Sequence, residues 1–169
     1  METRSVEAII RTLNSASVRY LVAGGLAVVA HGYVRFTADV DLIVDLDPDN
    51  VRRATAALAK LGYRPRAPVR LEEFVDPAKR AEWIRDKGLT VFSLFSADHS
   101  ATELDLFVEV PLDFEQAYRT AARMEVAHGV VATFIGLAEL MRLKRQAGRT
   151  QDLLDIEKLQ LLHEDKDRE

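Results

Sequence analysis

The sequence predicts an α/β (α+β) fold: a small mixed or antiparallel sheet flanked by helices, finished by a C-terminal helical pair. Three observations lead to it. Segments with apolar residues at i, i+3, i+4 and i+7 are interspersed with short runs that alternate apolar and polar residues. Glycine, proline and Asn-Ser breaks punctuate the chain between them. The length, 169 residues, suffices for one domain with a sizeable core. The expected organisation is one compact unit, a core over residues 1–134 with a helical segment over 135–169 packed on it.

In chain order, Val6, Ile9, Ile10 and Leu13 make residues 2–15 an amphipathic helix, stopped by Asn14-Ser15. A first strand covers 18–23. Gly24-Gly25 turn the chain into a short helix over 26–31, ended by Gly32, and residues 33–37 form a loop. The second strand covers 40–46. Asp47 caps and Pro48 opens a helix with Val51, Ala54, Leu58 and Leu61 on its apolar side, closed by Gly62. Residues 64–70, with Pro65 and Pro68, read as basic and irregular, and Pro77 opens a helix through residue 85. Strands over 89–95 and 103–110 flank a turn at 97–100 and form an antiparallel hairpin. Residues 114–123 read as helix and 126–133 as strand with a turn at His128-Gly129. Two helices over 137–147 and 150–162, split by Gly148, close the chain, and the mixed-charge tail over 163–169 is expected to fray.

Composition bounds the function. Apolar residues make up 48% and charged residues 30%, the profile of a water-soluble globular chain. A net charge of -4 argues against a chain-wide nucleic-acid footprint but leaves room for a local basic pocket. With no cysteine there are no disulfides or thiolate metal sites. Glu2, Arg4 and Glu7 stand where a secretory signal needs an apolar core, and the longest apolar run, over 20–30, is too short to span a bilayer. A cytoplasmic protein with no membrane partner is expected.

The stretch over 24–41, GGLAVVAHGYVRFTADVD, carries the candidate chemistry. On a strand Asp39 and Asp41 share one face, with α-carbons ~6.6 Å apart, while Val40, Leu42 and Val44 face a core. Two carboxylates ~5 Å apart repel by roughly 3 kcal/mol at an effective dielectric of ~20. Open water relieves that repulsion, and so does a divalent cation; magnesium suits the second case because it takes oxygen ligands from one or two carboxylates plus phosphates. The plainer alternative is a strand running out into a solvated acidic loop, since Asp45, Asp47 and Asp49 follow.

A third acid lies in the run ELDLFVE over 103–109. Leu104, Leu106 and Val108 form its apolar face, and Glu103, Asp105, Phe107 and Glu109 share the other. An acid flanked by leucines in mid-strand is costly unless wet or bound. If this strand lies beside the earlier one, Asp105 completes a cluster able to hold two divalent ions ~3.5–4 Å apart. The alternative is an edge strand with one solvated face; Glu103 is the fallback ligand. Gly24-Gly25 after a strand would let the backbone approach a phosphate closely, or would simply make a tight turn.

These residues resemble the signature of the polymerase-β-like nucleotidyltransferase superfamily: Gly-Gly or Gly-Ser, about a dozen residues, Asp-x-Asp, then an acid on a later strand. Here they are Gly24, Gly25, Asp39, Asp41 and Asp105. The run-in Arg35-x-Thr37-x-Asp39 is similar to the bacterial branch that contains the AbiEii-type toxins and the aminoglycoside and lincosamide nucleotidyltransferases. So is LAELMRLKRQAGRTQDLLDIEKL over 137–159, with Lys144, Gly148, Arg149, Asp152 and Asp155. Residues 50–101 match nothing in the group.

The resemblance implies the nucleotidyltransferase type of sheet and transfer of a nucleoside monophosphate from an NTP to an acceptor hydroxyl, with pyrophosphate release. Asp39, Asp41 and Asp105 would bind two magnesium ions, or manganese. Asp105 and Lys144 would join them as catalytic groups, and Gly24, Gly25, Arg35, Thr37, Arg149 and Asp152 would bind the nucleotide. The acceptor is left open among a tRNA 3′ end, a small molecule and a protein tyrosine, and the branch includes toxin–antitoxin components with a cognate partner protein. The alternative from another class is a non-catalytic binding module or antitoxin-like partner on the same fold. A weaker one is a metal-dependent phosphohydrolase using the same acids.

The residues themselves bear on the second motif. Leu137, Leu140, Met141 and Lys144 share one helix stripe, so Lys144 either finds an anion, such as a triphosphate, or snorkels to water. Asp152 shares a stripe with Ile156 and Leu159, or simply complements the helix dipole behind a Thr150 cap. The four histidines show no ligand spacing, and Trp83 reads as packing. Arg64, Arg66, Arg70, Lys79 and Arg80 either line an acceptor channel or form a solvated face.

Overall fold

The computed structural model describes residues 1–166. Its helices are α1 (Thr3–Ser15), α2 (Gly24–Ala30), α3 (Pro48–Lys60), α4 (Pro77–Lys87), α5 (Phe114–Arg119), α6 (Leu137–Ala147) and α7 (Thr150–Lys166). Its strands are β1 (Tyr20–Ala23), β2 (Asp39–Val44), β3 (Arg64–Pro65), β4 (Val91–Phe95), β5 (Glu103–Phe107), β6 (Ala122–Ala127) and β7 (Val130–Phe134). They form one mixed sheet in the order β3-β4-β5-β2-β1-β7-β6, so the expected fold class stands.

The local signals act as their chemistry requires. In α1, Val6, Ile9, Ile10 and Leu13 are all buried. The Asp47 carboxylate accepts from the Asp49 and Asn50 amides ahead of Pro48, which caps α3. One face of the central strands is the core: Val40, Leu42, Leu104, Leu106 and Leu94 are sealed from solvent, and Phe92 nearly so. There Phe92 stacks between Trp83 of α4 and Phe74 of a 3-10 turn over Leu71–Val75, the packing role expected of Trp83.

Beyond shifts of one to three residues at the other element ends, four features differ from the sequence expectations. The helix after β1 begins at Gly24 itself. The irregular basic stretch contains a two-residue strand, β3, on the β4 edge. α7 continues past residue 162 to Lys166, and the last three positions of the tail lie outside the described residues. The helix expected over 114–123 stops at Arg119, and Ala122–Ala127 is a strand paired antiparallel with β7. Ala, Arg, Met and Glu favour helix, but Ala122, Met124 and Val126 are half-buried while Arg123 and Glu125 are exposed. That alternation, and pairing across a turn where Gly129 has φ +70°, outweighs intrinsic propensity.

Two pairings position the site. β1 runs antiparallel to β2 with Ala23 opposite Asp41. β5 runs parallel to β2 with Glu103 opposite Asp39 and Asp105 opposite Asp41. α6 packs on α7 and on α2, and so walls the uncovered side of these strands.

Candidate active site

Asp39 and Asp41 leave β2 on the side opposite Val40 and Leu42, as period-two alternation demands. The parallel register sets Asp105 beside Asp41 on the neighbouring strand, ~4.8 Å away between backbones. All three line a cleft of about 760 Å³ together with Gly24, Gly25, Arg35, Thr37, Lys144, Arg149 and Asp152. Every residue expected at the site from the sequence is therefore in one cavity.

The glycine pair has a steric role that the sequence did not disclose. Gly24 has φ +59°, and a β-carbon there would come 1.8 Å from Asp41 Oδ2. A β-carbon on Gly25 would come 2.5 Å from Thr37 Oγ1. The glycines make room for the chain's own Asp41 and Thr37 as well as bordering the cleft. Thr37 in turn reaches the Asp39 carbonyl, 3.5 Å away.

The acids are electrostatically loaded. Desolvation, then the charges of Asp105 and Asp39, push the Asp41 carboxyl up to about 6, against a weaker pull from Arg149 and Lys144. Burial also raises Asp105; Ser93, opposite it on β4, works the other way, and the Asp39 and Glu103 charges add to the rise. Asp105 Oδ1 is buried with no hydrogen-bond partner among the described residues. Glu103, the fallback ligand, is instead paired with Arg66, whose Nε lies 3.1 Å from Oε2. Among the described residues no three acidic or histidine side chains are drawn together tightly enough to enclose an ion. The set still fits a hard divalent cation: all-oxygen donors, an orphaned buried carboxylate oxygen and a raised neighbour whose charge a cation would relieve.

The opposite wall is cationic and highly connected. Lys144 is only 5% exposed. Its amine neither faces water nor awaits an external anion: it donates to Asp152 Oδ1 at 2.9 Å and Asp155 Oδ2 at 2.7 Å. Arg149 Nε donates to Asp152 Oδ2 at 2.7 Å. Burial acts to raise Asp152, but the hydrogen bonds from Arg149 and Lys144 outweigh it and hold the carboxyl below its ordinary value. Arg35 reaches the same cluster, with Nη2 3.0 Å from Asp155 Oδ2. Three cations thus share two carboxylates, leaving one positive charge over on the wall that faces the acids. Asp155, fully buried, is the hub. It stood in the C-terminal motif but had no assigned role, because its partners Arg35, Lys144 and Gln151 meet only in the folded chain.

The remaining candidates are structural. Arg80 is buried and donates to the Phe74 and Val75 carbonyls, and Lys79 pairs with Glu82; neither borders the cleft that holds the acids. Arg64 and Arg70 border a separate cleft of about 660 Å³ at the β3 edge. His31 bonds the Ile135 carbonyl, and His99 bonds Ser5 and stacks on Tyr63.

No protein-family model matches this chain, and no curated protein matches it. No helix among the described residues is long and apolar enough to cross a membrane.

Proposed function

We propose that the chain is a magnesium-dependent nucleotidyltransferase. The observation that carries this reading is the register of Asp41 against Asp105 on adjacent parallel strands, both facing a cleft whose other wall is cationic. Asp39, Asp41 and Asp105 would hold two magnesium ions, or manganese. Bound there, the ions supply neutralising charge to the triphosphate and a template for in-line displacement.

The chain's own groups do the rest. The Gly24 and Gly25 backbone borders the triphosphate. The cluster of Arg35, Lys144 and Arg149, one positive charge in excess of Asp152 and Asp155, opposes its charge, with Thr37 and Asp152 holding the loop and Arg149 in place. Asp105 accepts the proton of the acceptor hydroxyl. That oxygen bonds to the α-phosphorus, the α–β anhydride bond breaks, and pyrophosphate leaves. Most of the rate enhancement is positioning and charge stabilisation. The acceptor is a tRNA 3′ end, a small-molecule hydroxyl or a protein tyrosine, and a toxin-type role with a cognate partner protein belongs to the same reading.

The test incubates the protein with labelled NTPs, magnesium and a cell extract. Label should enter RNA, protein or a small molecule with release of pyrophosphate, and Asp41→Asn or Asp105→Asn should abolish it. Transfer at an unchanged rate in both variants would refute the assignment. Orthophosphate in place of pyrophosphate would indicate a hydrolase, and partner binding indifferent to magnesium and NTP would indicate a binding module.

A further inference from the structure

The cleft has two chemically different ends. Its charged lining comes from the start of β2 and the loop before it, from Asp105, and from Lys144 onward along the C-terminal helices. Beyond Asp105 the lining turns uncharged and mostly apolar: Phe107 two residues further along β5, its register partner Val91 on β4 with Thr90 just before it, Pro111, and Leu140 and Leu143 on α6. α6 is held over this end by Arg142, which donates to the Pro111 carbonyl at 3.3 Å. Of the apolar five, Leu140 is buried in the core, while Val91, Phe107, Pro111 and Leu143 are half-buried and keep part of their surface open to the cleft.

Two independent rulers measure the step from charge to apolar surface. Along β5, Asp105 and Phe107 are two residues apart on one face, ~6.6 Å. Along α6, Leu140 and Lys144 are one turn apart, ~6 Å. On both the strand and the helix the lining passes from a charged to an uncharged residue within one such step. A nucleoside triphosphate has the same polarity: a multiply charged chain, one ribose, then a flat ring with an apolar face.

We propose that the end formed by Val91, Phe107, Pro111, Leu140 and Leu143 is the nucleobase subsite, with the base lying against the Phe107 ring. This rests on the nucleotidyltransferase reading and adds the donor's orientation: base toward β4 and α6, phosphates toward the glycines and Lys144. Stacking on an aromatic face is tolerant of base identity, so the phosphates and not the base provide most of the recognition.

The experiment compares two probes, magnesium ATP and magnesium tripolyphosphate, by calorimetry on wild type, Phe107→Ala and Leu143→Ala, with thermal melts to confirm folding. Phe107→Ala should weaken ATP roughly tenfold, the scale of one lost stacking contact, Leu143→Ala should weaken it in the same direction, and both should leave tripolyphosphate affinity unchanged. Because the two substitutions sit on different elements, failure of one to fold leaves the other to decide. ATP affinity equal to wild type in a folded variant overturns the proposal, as does an equal loss for both probes. If wild type binds neither probe, the nucleotidyltransferase reading itself fails; if it binds both and the variants do not discriminate, only the subsite assignment fails.

Discussion

Asp41→Asn separates the function of the acid cluster from its cost to the fold. Asp41 is raised from 3.8 to about 6 by burial and by Asp105 and Asp39. Between about pH 4 and pH 6 the folded chain therefore keeps a proton that the unfolded chain has released. The folded state binds more protons, so stability falls as pH rises through that window and is lowest, as far as this group is concerned, above about pH 6. A difference of roughly two units corresponds to at most about 3 kcal/mol. Asparagine has the same size, keeps clear of Gly24 as aspartate does, and carries no charge to desolvate. In EDTA at pH 7, Asp41→Asn should thus be more stable than wild type by about 1–3 kcal/mol, a rise of roughly 2–12 °C in melting temperature for a chain of this size. At pH 4 the advantage should vanish, and on adding magnesium only wild type should gain stability. Differential scanning calorimetry over this pH series checks all three. A variant less stable than wild type at pH 7 in EDTA would refute the claim that this carboxylate is strained.

Two further outcomes follow from the same geometry. Gly24→Ala places a β-carbon 1.8 Å from Asp41 Oδ2 at a φ of +59°; urea titration should show a loss above about 2 kcal/mol, and magnesium affinity should fall with the displaced carboxylate. Lys144→Met leaves Asp152 and Asp155 buried with one cation fewer, and should cost about 3–5 kcal/mol in the same titration. Adding Asp152→Asn to the Lys144 variant should recover part of that loss, a coupling that independent sites would lack.

The periodicities predicted nearly every element, because amphipathic faces, the Asp47-Pro48 start of α3 and glycine stops act within a turn or two of chain. They also put Asp39, Asp41 and Asp105 on the faces they occupy. Of β6 only Val126 and Ala127 fell within the expected strand; Ala122 and Arg123 fell within the expected helix because the residues there favour it, and only β7 beside them supplies the pairing that decides otherwise. The two-residue β3 is too short to leave a periodic pattern.

The sequence by itself determined which acids share a strand face, where glycines stop the helices, and that a lysine occupies a buried stripe of α6. Those properties follow from alternation, left-handed backbone geometry and helix pitch, all of which are local. Only the tertiary structure decided that β5 runs parallel to β2 with Asp105 opposite Asp41, that the Gly24 gap is filled by the Asp41 carboxylate, and that Lys144 is neutralised from α7. Each of these joins groups far apart along the chain. Their meeting is set by sheet register and helix packing, which no short window of residues encodes.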